Sequence, residues 1–228
     1  MLMQTQLRTV SANQRHTNAI PRPAPVRGGF WAMEAMGSQM KFGSNEEIFG
    51  EGEPAEYVYK VTKGAVRTYK ILCDGRRQIG GFYLPGDIFG LETGKEHQFS
   101  AEAINNVTVL VVRRSAIVSL AERDSDAARA LWSFTGSELN RVQEHLLLLV
   151  KTAQQRVASF LLEMSTPLAA TDAIELPMSR QDIADYLGLT IETVSRTMTQ
   201  LASEQTIGLP SARRVVLRNS GVLRQLNA

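Results

Sequence analysis

Met178-Ser-Arg-Gln-Asp-Ile-Ala-Asp-Tyr-Leu-Gly-Leu-Thr-Ile-Glu-Thr-Val-Ser-Arg-Thr-Met-Thr-Gln-Leu201 has the pattern of a helix, a tight turn and a second helix. The turn falls at Leu187-Gly188-Leu189, and Thr190 opens the second helix. Ser179 and Asp182 form an S-x-x-D capping box: the Ser179 side chain accepts the Asp182 amide, and the positive end of the helix dipole favours the carboxylate. Ile183, Ala184 and Leu187 make one apolar stripe at helical spacing, and Val194, Met198 and Leu201 make another. Packing those stripes together leaves Glu192, Ser195, Arg196 and Thr199 on the outer face of the second helix. An apolar-backed helix that shows Glu and Arg one turn apart is suited to the DNA major groove.

The residue types fit that task. Arg196 carries a planar fork that donates two bonds to guanine O6 and N7. Glu192, four residues earlier, accepts from cytosine N4 and also holds the guanidinium. Ser195 bonds a base edge or a phosphate. The competing reading is two amphipathic helices with an ordinary surface Glu–Arg pair, because helix-turn-helix patterns are short.

Charge placement favours the first reading. The 228 residues allow two modest domains or one large one, and a hydrophobic content of 43% is ample for real cores. A net charge of +2 is too small for a wholesale polyanion binder, but it is unevenly spread. Residues 193–228 carry Arg196, Arg213, Arg214, Arg218 and Arg224 against Glu204 alone; Glu163, Asp172, Glu175, Asp182, Asp185 and Glu192 lie upstream. A basic C-terminal face on a near-neutral chain is a local footprint for phosphates.

Other function classes recede. Cys73 is the sole cysteine, so an intramolecular disulfide is impossible, and no metal site is expected. That usage suits a reducing compartment. No run approaches the ~18–20 apolar residues of a membrane span, and the N-terminus lacks a signal peptide's apolar core. A cytoplasmic protein without a membrane partner is expected. His16, His97 and His145 are far apart, with no motif joining nucleophile to base, so no enzyme is expected.

The chain divides into four parts. Residues 1–29 are polar and punctuated by proline, and read as a flexible extension. Residues 30–123 hold short β-rich runs, among them Tyr57 to Thr62, Ala65 to Leu72, Gln78 to Leu84 and Val107 to Val112. Asp74-Gly75 marks a hairpin turn and Pro85-Gly86-Asp87 another, so a sandwich or barrel is expected. Residues 124–151 form a long helix in which Ala128, Trp132, Thr135, Leu139, Val142, Leu146 and Leu149 alternate at four- and three-residue steps. That is a coiled-coil seam of roughly 30 Å, suited to a homodimer. The alternative is packing on the helix's own domain, and Leu147 and Leu148 widen the apolar face enough for part of it to dock there. Residues 152–228 hold the helix-turn-helix and then a small hairpin, Thr206-Ile-Gly-Leu and Arg214-Val-Val-Leu-Arg around Pro210-Ser-Ala-Arg. Arg213 and Arg214 near its tip reach phosphates or merely solubilise the turn. Asn219 or Ser220 caps a last short helix over Gly221–Leu226.

The run from Arg180 to Arg196 resembles the cyclic-AMP-receptor/FNR superfamily of bacterial transcription regulators over about residues 40–228. Glu51-Gly52, Val61 to Gly64 and Pro85-Gly86-Asp87-Ile-Phe-Gly90 add weaker support. The resemblance implies an α+β chain: an N-terminal β-roll (jelly-roll-like) sensor-type domain, a long dimerisation helix and a C-terminal winged helix-turn-helix. It implies base contacts from Glu192, Ser195 and Arg196. Backbone contacts are implied from Ser179, Arg180, Gln181, Thr190 and Thr193, with Thr199, Arg213 and Arg214 placed to join them.

Departures from the superfamily narrow the subgroup. Cyclic-AMP receptors use an Arg-Ser pair for the nucleotide phosphate, whereas Glu96-His-Gln-Phe-Ser-Ala-Glu102 here has no arginine. A buried cyclic phosphate needs a cation, so no cyclic nucleotide and no cofactor is expected. FNR carries an N-terminal cysteine cluster, and residues 1–40 contain no cysteine. Ile191 stands where cyclic-AMP receptors have arginine and suits a thymine methyl. The chain is therefore most similar to the cluster-free FixK-type subgroup. That similarity implies a homodimeric activator in oxygen-responsive cascades, with double-stranded DNA and RNA polymerase as partners and a TTGA/TCAA-type inverted repeat as target. A regulator gated by a small effector other than a cyclic nucleotide in the β-roll is the alternative. Residues 92–100 and 164–174 are candidate polymerase-facing loops. Ser203-Glu-Gln-Thr-Ile lacks the glycine that often ends the recognition helix, so another residue, Gln205 first, must make that turn. Cys73 beside Asp74-Gly75 is expected at an exposed hairpin tip. Asp74 disfavours its thiolate and Arg76 and Arg77 favour it; an incidental thiol is preferred over a redox site.

Overall fold

The computed structural model describes residues 36–168 and 173–227. The extension over residues 1–29 lies outside the described residues.

Eight strands build the first unit: β1 (Ser38–Phe42), β2 (Glu47–Phe49), β3 (Tyr57–Lys63), β4 (Val66–Ile71), β5 (Arg77–Tyr83), β6 (Ile88–Phe89), β7 (Ser100–Ala103) and β8 (Val107–Arg113). They form two four-stranded antiparallel sheets, ordered β1-β8-β3-β6 and β2-β7-β4-β5. The runs read from sequence are the long strands; β1, β2, β6 and β7 are too short or too polar to show period-two alternation. Between the sheets, Phe49, Tyr59, Val61, Val66, Phe89, Ala101, Ala103 and Val109 make a buried core. This is the expected β-roll. The β4–β5 hairpin closes over Leu72–Arg76, where the Gly75 amide donates to the Leu72 carbonyl at 2.9 Å. Cys73 is exposed on that turn, as expected.

Helix α1 (Arg114–Arg123) leads into α2 (Ser125–Leu149), whose N-cap Asp124 accepts from the Asp126 and Ala127 amides. One face of α2 docks on its own β-roll. Ala127, Ala130 and Phe134 are buried, with Phe134 among Val58, Ile88, Leu110, Val112 and Ile117. Leu148 turns inward as well, whereas Leu147 stays exposed. The predicted seam lies on the other face: Trp132 is 82% exposed, Leu139 58%, Val142 55% and Leu146 60%. Thr135 is exposed beside them, and Ala128 and Leu149 at the ends are half-buried.

A break at 150–152 separates α2 from α3 (Ala153–Leu168). Arg156 ties the break together. Its Nε donates to the Lys151 carbonyl at 2.9 Å, and its Nη1 to the Leu187 carbonyl at 2.8 Å, so one guanidinium serves the ends of two helices. The reading of 164–174 as a loop is corrected. The helix runs to Leu168, and β9 (Ala173–Glu175) pairs with β11 (Arg214–Leu217), which also pairs with β10 (Ile207–Gly208). Three residues with Ile174 alone buried, between Ala173 and Glu175, carry too little pattern to be read as a strand alone. Helix α4 (Arg180–Leu187), α5 (Ile191–Ser203) and α6 (Ser220–Asn227) complete the unit.

The two units share one core. Phe82 of β5 meets Tyr186 of α4 at 5.1 Å and Phe160 of α3 at 6.2 Å between ring centroids. Ile79, Leu84 and Ile104 of the roll belong to the same apolar cluster as Leu161, Ile183, Val194 and Leu223.

Gly64 makes the β3–β4 corner at φ +84°, and a Cβ there would stand 2.5 Å from the Asn106 carbonyl oxygen. Gly52 has φ +83° with nothing within 4 Å. Gly52→Ala is expected to cost about 1–2 kcal/mol for its backbone alone, and Gly64→Ala about 1–3 kcal/mol more for overpacking. Denaturant midpoints at constant m-value measure both; equal losses would contradict the close approach.

Candidate nucleic-acid interface

The helix pair α4–α5 has the local chemistry that its sequence dictates. Ser179 is the N-cap of α4: its hydroxyl accepts from the Asp182 amide at 3.1 Å, and its own amide donates to Asp182 Oδ2 at 3.0 Å, a complete capping box. Gly188 ends α4 in the left-handed region at φ 61°. Thr190 then opens α5, accepting from the Thr193 amide at 3.2 Å. At the far end Gln205 takes φ 56°. The Thr206 amide donates to the Leu201 carbonyl and the Gln205 amide to the Ala202 carbonyl, a Schellman ending without glycine.

The faces of α5 separate as predicted. Val194, Thr197, Met198 and Leu201 are buried, while Glu192, Ser195, Arg196 and Thr199 are exposed and Ile191 is 37% exposed. The Glu192 carboxyl is held below its ordinary range, first by its own backbone amide, then by the Thr190 hydroxyl and the Arg196 charge. The outer face thus presents an ionised acceptor and a cationic fork on one rigid helix.

The other predicted contacts are placed unevenly. Thr190, Thr193 and Gln181 surround the N-terminus of α5 and the first turn of α4, with Gln181 Nε2 donating to Asp185 Oδ1 at 2.6 Å. Ser179 is partly buried, and its hydroxyl serves the cap and Asp182. Arg180 lies partly buried with its guanidinium against the Met198 sulfur. Arg213 is exposed at the wing; Arg214 Nε lies 3.4 Å from Glu175 Oε1 on β9. His97 and His145 sit in separate packed sites, stacked on Phe49 at 3.6 Å and lying 4.4 Å from Tyr186.

Sequence reasoning missed the arginines that join the two units. Arg67 of β4 reaches both oxygens of Asp182, at 3.1 and 3.2 Å, and Glu102 at 2.6 Å. Arg77 of β5 reaches Asp182 at 2.6 Å and Asp185 at 2.8 Å. Nothing in the spacing of single arginines on strands signals partners more than 100 residues downstream.

Comparison with known proteins adds to this geometry. Residues 155–226 match the Crp-like helix-turn-helix domain, and residues 39–124 match the cyclic nucleotide-binding domain. The chain is 51% identical over 213 residues to the nitrogen fixation regulation protein FixK of Azorhizobium caulinodans, covering 91% of this chain and 84% of that protein. It is 42% identical to the transcriptional activatory protein AadR of Rhodopseudomonas palustris, covering 76% of this chain and 75% of that one. The solved structure of FixK2 from Bradyrhizobium japonicum superposes with a TM-score of 0.82 at 52% identity, over 85% of this chain and 98% of that one.

The residues present do not fit a cyclic nucleotide. Glu96–Glu102 offers no cation, and Glu102 itself is engaged by Arg67. Where β5 faces α2, the Arg141 guanidinium lies 4.8 Å from the Tyr83 ring centre and 3.1 Å from Glu138. It would stand 3.1 Å from a Cβ at Gly81. That half-buried cation is already matched by the protein's own groups.

Burial opposes the charged form of Asp182. The Ser179 amide and hydroxyl, then the Arg67 and Arg77 charges, outweigh it and hold the carboxyl below its ordinary range. With the folded value below the unfolded one, its stabilisation is present above about pH 4 and lost as pH falls through the lower folded value. Asp182→Asn is expected to destabilise by about 1–3 kcal/mol at neutral pH and to show a shallower loss of stability below about pH 4 than the parent. Denaturant titrations across pH measure this, and parallel acid limbs would contradict it.

Proposed function

The chain belongs to the CRP/FNR family of DNA-binding transcription regulators, and on that footing we propose that it acts as a homodimeric activator of oxygen-responsive genes. Its target is an inverted repeat of TTGA/TCAA type, and RNA polymerase is its partner at the promoter. The relatives named as transcriptional activators, AadR and the Anr protein of Pseudomonas aeruginosa, support the activator part of this reading, and the oxygen-linked part rests on the resemblance to the FixK-type subgroup.

One observation carries the DNA-reading part: Glu192, Ser195 and Arg196 stand together on the outer face of α5, whose inner face is fully buried. In the major groove, Arg196 donates to guanine O6 and N7, Glu192 accepts from the cytosine amine, Ser195 serves a base edge, and Ile191 meets a thymine methyl. Thr190, Thr193, Gln181 and the exposed wing arginine Arg213 flank this helix and reach the phosphates. Arg180, at the first position of α4, reaches a phosphate by turning its guanidinium away from Met198, and Ser179, whose amide and hydroxyl are held by Asp182, contributes by fixing that helix end.

The dimer reading rests on the exposed α2 stripe of Trp132, Thr135, Leu139, Val142 and Leu146. A second copy buries that stripe as a parallel seam and places two recognition helices about one DNA turn apart.

Arg196→Ala is expected to weaken binding to a TTGA-N6-TCAA duplex by about 1–3 kcal/mol per half-site, with loss of guanine discrimination and an unchanged dimer. Wild-type affinity in this variant, measured by electrophoretic shift, would contradict the base-reading role. Replacing Leu139 and Leu146 together with Glu places like charges on the seam and is expected to give monomers at micromolar concentration by sedimentation. A double variant that remains dimeric would move the interface elsewhere.

A further inference from the structure

We infer that Arg67 and Arg77 of the β-roll are positioning residues for DNA recognition: they clamp the first helix of the helix-turn-helix and thereby fix the direction in which α5 points. The inference rests on the DNA-reading dimer proposed above and adds a device that sets its half-site spacing.

The clamp is built asymmetrically. Arg67 is held by its own unit, through Glu102 on the neighbouring strand β7 at 2.6 Å and Asn45 at 3.3 Å. Its other arm crosses to Asp182, whose side chain is 4% exposed. Arg77 crosses in parallel, engaging Asp182 and, one turn further along α4, Asp185. Two contacts at different heights on one helix restrict rotation as well as translation. Asp182 is also the third residue of α4 and completes its capping box, so the anchor is integral to that helix. From there, Gly188 and the Thr190 cap lead directly into α5, whose buried face packs on α3 and α4.

A buried ion pair of this kind is poor evidence for stability, because well-packed apolar groups stabilise as much or more. Its best-attested use is to specify one arrangement among several. Phe82, Phe160 and Tyr186 alone leave an apolar contact that can slide. The paired contacts, Arg67 Nη1 shared between both oxygens of Asp182 and Arg77 spanning Asp182 and Asp185, select one seating. In a dimer, that seating decides whether two half-sites are engaged at once, because the second binding event gains from high effective concentration only at matching geometry.

Arg77 is the better site for a test, since its side chain is 25% exposed and its loss leaves the apolar core intact. Arg77→Ala, Arg77→Lys and the parent would be titrated with three kinds of duplex: the N6 palindrome, one half-site beside scrambled sequence, and palindromes with N5 and N7 spacers. For Arg77→Ala the expected result is half-site affinity within about twofold of the parent, palindrome affinity reduced roughly tenfold or more, and a flattened preference for N6. Arg77→Lys, which retains the charge without the fork, should recover part of that preference. Equal losses on half-site and palindrome would make Arg77 a phosphate contact or a folding residue and overturn the clamp. Unchanged palindrome affinity and spacing would overturn it as well. A parent protein that binds half-site and palindrome alike would overturn the dimeric reading itself, together with the clamp that depends on it.

Discussion

A single buried carboxylate, Asp182, is the point on which this architecture turns. Removing a carboxylate from water costs several kcal/mol unless its lone pairs are filled. Here four donors fill them: the Ser179 amide and hydroxyl from within the helix, and the Arg67 and Arg77 guanidiniums from the β-roll. The same group therefore starts helix α4, pairs with two strand arginines whose charge Glu102 and Asp185 also balance, and joins the two units of the chain. A helix N-terminus is a natural seat for a negative charge, so the dipole assists every one of these roles.

Around that point the apolar interior is continuous. β5 sends Ile79 and Phe82 into the cluster that also backs the recognition helix, so the roll and the helix-turn-helix are packed as one body rather than strung together. The long helix α2 serves both sides. Phe134 and Leu148 face inward, while Trp132, Leu139, Val142 and Leu146 remain in solvent. Large apolar side chains left in a row along one helix are a surface that asks for a partner, and a second copy of the same helix is the partner proposed for it.

Most of the DNA-facing half was legible in the sequence because its determinants are local. The Ser179–Asp182 box, the Gly188 turn, the Thr190 cap and the two apolar stripes each span a few residues and obey helical spacing. Even the missing glycine after α5 pointed to Gln205, which adopts the left-handed conformation a Schellman ending requires. What was not legible is non-local. The three-residue strand β9 exists only because β11 offers an edge to it. Arg67 and Arg77 look like ordinary strand arginines until the fold brings Asp182 and Asp185 against them. Arg141 is half-buried over Tyr83 where β5 meets α2, a contact that helical spacing does not announce. The sequence motif around Arg180 to Arg196 names the chemistry, and long-range pairing decides how that chemistry is aimed.

The proposed DNA reading depends above all on the Arg196 fork of α5 reaching base edges. The most direct measurement is the affinity of the unmodified protein for a TTGA-N6-TCAA duplex against the same duplex with 7-deazaguanine at each half-site guanine, which removes the N7 acceptor and leaves the backbone unchanged. Weaker binding by about 1–3 kcal/mol per half-site is expected, with the same dependence on salt because no phosphate contact is altered. Equal affinity for the two duplexes would contradict it.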